Sequence, residues 1–195
     1  LWGLTPAASV GGEARVTLNV DGGQVSGNHA VMVTFVNDSA ATVACNVQIQ
    51  VQPVTPIPAI QGSGASSPML GQTVTTGGVV TKVIPGYGWF LQDDIGDGDA
   101  ATSDGLFVYA PAVAAVVGNR MRLTGIVAEF NGLTELTGVS AVNVLGSGNA
   151  IPLPANIVFP EVTEGDLERY ESMLVRINTE LTVAQNYFQG RYGEV

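Results

Sequence analysis

Alternation of apolar and polar side chains, rather than a helical period, runs through most of the chain. The clearest case is Thr42–Val51, where Val43, Cys45, Val47, Ile49 and Val51 share one face and Thr42, Asn46, Gln48 and Gln50 the other. That two-residue period belongs to a half-buried strand. Residues 14–20 and 30–36 read the same way, with turns at Asp21-Gly22-Gly23 and Asn37-Asp38-Ser39. Farther on, residues 72–84 predict a long strand interrupted by Gly77-Gly78, where a bulge or a sharp bend at a barrel corner accounts for the missing side chains. Residues 88–110 predict a hairpin whose two short aromatic and apolar arms flank a loop crowded with Asp and Gly. Arg120–Phe130 and residues 133–144 form another, closed by the two-residue turn Asn131-Gly132. Pro111 to Gly118 suits a short helical turn or a loop. Together these runs predict an all-β chain whose larger part is a meander closing into a five-stranded barrel.

The one convincing helical signal lies near the end: Thr163 capping a turn with Asp166, then Leu167, Tyr170 and Met173 or Leu174 at helical spacing. Residues 173–177 and 181–183 read as strands beyond it. Between the two strand-rich parts, Gln52-Pro53-Val54-Thr55-Pro56-Ile57-Pro58 reads as a linker, because its prolines hold the backbone extended. The domain plan is then an immunoglobulin-like β spacer over residues 1–52, a linker over 53–58, a barrel over 59–160, and a helix with strands over 161–195. The chain breaks off in what reads as a strand, so it is expected to be a fragment of a longer protein.

Composition narrows the chemistry. Seven Lys and Arg against seventeen Asp and Glu give a formal charge of -10, a surface that repels phosphate unless positive charge is locally concentrated or a divalent cation bridges. Cys45 is the only cysteine, so no intrachain disulfide and no cysteine-based zinc site can form; its place on an apolar face suits a small buried hydrophobe. His29 is the sole histidine and suits a surface or strand-start position, so a Ser-His-Asp or Cys-His site is not assembled from the barrel. No apolar run is long enough for a transmembrane helix, and no membrane partner is expected. The small-residue loop Gly62-Ser63-Gly64-Ala65-Ser66-Ser67 lacks the Gly-Lys-Ser/Thr ending of a phosphate loop.

Candidate chemistry collects on the Asp-rich hairpin and its neighbours. Trp89, Phe107 and Tyr109 are rings that could stack on a ligand, the alternative being that Phe90, Phe107 and Trp89 belong to the core, and Lys82, Arg120 and Arg122 are the nearby cations. Arg120 and Arg122 share one face of their strand. Asp93, Asp97 and Asp99 either hold a structural Ca2+ with loop carbonyls or simply suit a tight solvated turn, since their spacing departs from the EF-hand pattern.

Several stretches carry a resemblance. Ile60-Gln61-Gly62-Ser63-Gly64, Gly88 to Asp93, Thr102-Ser103-Asp104-Gly105 and Phe107-Val108-Tyr109 are similar to the barrel domain of large secreted bacterial nucleases of the ExeM/NucH type. So are Glu129 with Gly132-Leu133-Thr134, Glu168-Arg169-Tyr170-Glu171 with Met173-Leu174-Val175, and the closing Gly190 to Val195. The resemblance covers about residues 57–195. It implies an oligonucleotide/oligosaccharide-binding barrel preceding a separate endonuclease/exonuclease/phosphatase domain. None of that domain's catalytic motifs is present, so the resemblance implies a secreted, non-catalytic, DNA-positioning region, with single-stranded DNA and the adjoining catalytic domain as partners and Mg2+ or Ca2+/Mn2+ at the distant active site. The rival expectation, which the acidic balance favours, is a structural, adhesive or carbohydrate-binding β-module.

Overall fold

The computed structural model describes residues 2–5, 15–18, 26–36, 42–51 and 53–182. The turns at Asp21-Gly22-Gly23 and Asn37-Asp38-Ser39, and residues 183–195 with the closing Gly190 to Val195 motif, lie outside them. The chain divides into two compact units, Leu1–Pro53 and Val54–Val195, so the boundary falls inside the proline-rich stretch.

In the first unit, β1 (Trp2–Thr5) pairs antiparallel with β2 (Arg15–Leu18), and β3 (Gly27–Val36) with β4 (Thr42–Val51). His29 lies on β3 opposite Ile49. The β3–β4 register puts Val31, Val33 and Phe35 opposite Val47, Cys45 and Val43, an apolar face shared by both strands. Cys45 is exposed, and Val43 retains 66 % of its accessible surface. The expectation of a buried Cys45 is thus corrected: among the described residues these strands pair only with each other, and a two-stranded ribbon cannot cover its own face.

The second unit is the barrel. Strands β5 (Thr73–Ile84), β6 (Gly88–Gln92), β7 (Gly105–Tyr109), β8 (Arg120–Phe130) and β9 (Leu133–Gly146) close in the order β5-β6-β7-β9-β8. All neighbours are antiparallel except β7 and β9, which run parallel through Phe107↔Glu135 and Val108↔Leu136. Strand β5 serves two partners, β8 through residues 73–79 and β6 through residues 79–84. Gly77 and Gly78 sit where it passes from one to the other, and added Cβ atoms there would meet Met121 O at 2.5 Å and Gln92 O at 2.7 Å. Only glycine admits so close a crossing. At the β8–β9 turn Asn131 and Gly132 both have positive φ, 53° and 81°, the conformation a two-residue hairpin needs.

Val74, Val80, Trp89, Leu91, Leu106, Val108, Met121, Leu123, Val127 and Leu136 fill the barrel from alternate strand positions. One end is plugged by α1 (Ile57–Gln61), whose Ile57 and Ile60 are fully enclosed. The linker reading is corrected here, since Ile57 and Pro58 open this helix. Pro58 falls in the first turn, where no backbone N–H is needed, so proline starts the turn instead of preventing it. Thr55 ties the preceding chain to β5 by donating its N–H to Thr75 O and accepting from Thr76 Oγ1.

The expected helix near residues 163–174 is also corrected. It is a set of turns with one 3-10 segment, Glu168–Tyr170. Gly165 takes φ +90°, outside the helical region, and Thr163 offers its N–H to Asp166 Oδ2 instead of capping with its hydroxyl. Short parallel strands β10 (Ala155–Ile157) and β11 (Val175–Ile177) then pair across this segment, joining residues on both sides of the division expected at 160/161.

Candidate functional site

Strand parity decides what the barrel shows outward. Because Trp89 and Leu91, Leu106 and Val108 point into the core, Phe90, Gln92, Gly105, Phe107 and Tyr109 line the outer face of β6–β7. Register extends that face into a row, Lys82↔Phe90↔Phe107↔Glu135, with Gly88↔Tyr109 beside it. The Phe90 and Phe107 rings lie 4.9 Å apart, tilted by 50°. Phe90 is half-buried, Tyr109 keeps 44 % of its surface and Lys82 is exposed, whereas Phe107 keeps only 7 %.

The candidate rings therefore separate. Trp89 is fully enclosed and belongs to the core, its indole N–H without a partner, so it offers no stacking surface. Phe90 takes the outward position beside it. Tyr109 continues the face toward a shallow groove of about 310 Å³ between the β5–β6 turn and the loop after β7. Ile84, Pro85, Gly88, Ala110 and Pro111 are among its walls, and no charged side chain lines it. Tyr87, 61 % exposed, adjoins it through the Ala110 N–H to Tyr87 O hydrogen bond.

The cations separate too. Arg120 reaches the hairpin loop, but its guanidinium is engaged by Asp94 in an ion pair. The Arg120 hydrogen bond holds the Asp94 carboxyl below its ordinary range, and Asp94 in turn raises Arg120. Arg122 is half-buried beside Gly77 and Asn143. Lys82 is the cation in the aromatic row.

In the Asp-rich loop, Asp93 Oδ1 accepts from Ile95 N–H at 3.0 Å, Asp97 Oδ1 from Asp99 N–H at 2.9 Å and Asp99 Oδ1 from Ala101 N–H at 2.9 Å. These are the bonds of tight Asx turns. No group of three His, Cys, Asp or Glu side chains placed to hold a metal ion occurs among the described residues. Asp104 beside the loop has its pKa raised, first by burial and then by the charges of Asp93 and Asp97.

A second cluster lies outside the expected site, although its residues sit in the stretches that carry the resemblance. Residues 168–174 lie on the lower end of the same β6–β7 face. There Leu174 N–H donates to Gln92 Oε1 (2.9 Å), Ser103 Oγ to Glu171 O (2.6 Å) and Thr134 N–H to Glu171 Oε1 (2.8 Å). Gln61 Nε2 donates to Gly105 O at 2.6 Å, and Glu129 Oε1 accepts from both Ser67 N–H and Thr134 Oγ1 at 2.8 Å. The second carboxylate oxygens of Glu129 and Glu171 are buried without a hydrogen-bond partner. Burial, and then Glu168 alongside, push the Glu171 carboxyl up to about 7 against the opposing Thr134 N–H and Gln61 bonds. Short-range motif reading misses this hub because its members come from α1, β6, β7, β8, β9 and the 168–174 segment.

Comparison with known proteins brings no match: no family model fits the chain, and no curated protein or solved structure is significantly similar to it.

Proposed function

We propose that the barrel is the non-catalytic, DNA-positioning region of a secreted, metal-dependent deoxyribonuclease, taking single-stranded DNA weakly along the outer face of β6 and β7. The observation that carries this reading is the outward row of Lys82, Phe90 and Phe107 beside Tyr109 on a closed barrel of five strands. Oligonucleotide/oligosaccharide-binding barrels use this face, on their second and third strands, for ligands. The resemblance of residues 57–195 to nuclease barrels supports the same reading. Phe90 and Tyr109 supply π-faces at about 1–3 kcal/mol per stacked base, and Lys82 meets one backbone phosphate. With Arg120 held by Asp94, few counterions are released, so log K falls with log[salt] at a slope of only about -0.7 per phosphate neutralised. Fluorescence anisotropy with a labelled oligo-dT tests this reading. Phe90→Ala and Lys82→Ala should each weaken binding, and unchanged affinity in both would remove the site.

A second reading is favoured by the uncharged groove beside Tyr87 and Tyr109. A neutral oligosaccharide stacks on tyrosines without needing cations, and the net charge of -10 does not oppose it. A glycan panel run beside the oligonucleotide separates the two.

A further inference from the structure

The 168–174 segment sits on the face assigned to the ligand, and its seat is unusually exacting. A Cβ on Gly105 would lie 2.4 Å from Ser172 C and 2.5 Å from Met173 N, so the segment's backbone rests directly on strand β7. Ser172 takes φ +59° with a buried hydroxyl that has no partner, a strained conformation for a residue with a Cβ. Glu171 is placed where a negative charge is poorly served. Glu168 stands beside it on its own turn. Glu129 of β8 accepts from the hydroxyl of the same Thr134 whose N–H reaches Glu171, and the half-buried Asp104 and the enclosed Glu135 belong to the adjoining strand β7's entry and to β9. Gln61 of α1 is neutral. No Lys or Arg among the described residues forms an ion pair with Glu171.

We propose that residues 168–174 are a strap that shortens the β6–β7 ligand face and is released when Glu171 loses its proton. In the docked strap, burial and the neighbouring Glu168 favour protonated Glu171, outweighing the bonds from Thr134 N–H and Gln61 that favour the carboxylate. Once released, the carboxyl returns to the ordinary range near 4.5. Docking is therefore fully favoured below that value and weakens as pH rises through about 7. Release uncovers Gln92 and Gly105, the next row of the face beyond Phe90 and Phe107. This regulation rests on the proposed ligand face, but the strap's movement is measurable without any ligand.

Hydrogen–deuterium exchange on the whole chain, corrected for the intrinsic pH dependence of exchange, reads that movement at the Leu174 and Thr134 amides. Between pH 6 and 8 their protection should fall roughly threefold to tenfold, allowing for partial solvent screening of Glu171. Leu91, Leu106 and Val108 amides in the barrel should not change. Glu171→Gln should flatten the profile, and Glu168→Gln should make the fall smaller and move it to lower pH, because removing that neighbouring charge lowers the pKa of docked Glu171. A flat wild-type profile, or an equal fall in Glu171→Gln, overturns the proposal. Failure of oligo-dT to bind would count against the DNA reading alone, because the exchange experiment contains no nucleic acid.

Discussion

Gly105→Ala is the sharpest perturbation of the strap's seat, because it adds one methyl group and touches nothing inside the barrel. Gly105 lies on the outer face, paired with Gln92 of β6 and next in sequence to Leu106 of the core. The new Cβ would fall 2.4–2.5 Å from backbone atoms of Ser172 and Met173, where real contacts stay above about 3 Å. A strap displaced by about an ångström no longer holds the 2.9 Å Leu174–Gln92, 2.6 Å Ser103–Glu171 and 2.8 Å Thr134–Glu171 bonds. Three hydrogen bonds at roughly 0.5–1.5 kcal/mol each make the loss about 1.5–4.5 kcal/mol, an increase in strap opening of roughly tenfold to two thousandfold. Amide exchange and limited proteolysis should both localise the change to residues 168–174, while the near-ultraviolet signal of enclosed Trp89 is retained. Unchanged protection of the Leu174 amide would refute the seating argument, and so would loss of the Trp89 signal in step with the strap.

Other substitutions bear on other parts of the account. Trp89→Ala should destabilise the barrel by about 3–5 kcal/mol in denaturant melts, as for other large enclosed aromatics, and a loss under 1 kcal/mol would contradict its core assignment. Asp94→Asn should cost no more than about 1 kcal/mol at pH 7, because its ion pair with Arg120 is substantially exposed. Since the Asp94 pKa is lowered, even that cost should vanish as pH falls through the acid range, which a melt series from pH 7 to pH 3 checks. Asp104→Asn should raise the melting temperature at pH 7 and leave it nearly unchanged at pH 3, since burial and the Asp93 and Asp97 charges disfavour its ionised form. Cys45 should react with a maleimide in the folded protein at close to the rate of a free thiol, and protection until unfolding would contradict its exposure.

Much of the barrel is legible in the residues because its signals are local. The Asn131-Gly132 turn, the glycine pair where β5 changes partners and the period-two strands each announce themselves within a few positions. Parity along a strand, however, needs to know which face meets the core. Trp89 and Phe90 are adjacent and equally aromatic, and only the register with Leu91, Leu106 and Val108 sends the first inward and the second outward. Arg120 and Arg122 share a face as their spacing requires, yet Asp94 arrives across 26 positions of sequence to occupy the first. The helix expected after Thr163 fails at Gly165, and the proline-rich stretch, inside which the two units divide, ends earlier than expected because Ile57 opens a helix with a core to enter. Least legible is the Glu129–Thr134–Glu171 hub, whose members look like ordinary surface residues until two strands and the strap bring them together.

The central claim is that the outer face carrying Lys82, Phe90 and Tyr109 is a ligand surface, and an anisotropy titration of labelled oligo-dT against wild-type protein and a Phe90→Ala/Tyr109→Ala double variant tests it most directly. Loss of two stacking rings should weaken binding by at least about tenfold, at roughly 1–3 kcal/mol per ring, with the thermal melt of the barrel nearly unchanged. Equal affinity of the folded double variant and the wild type would contradict the assignment.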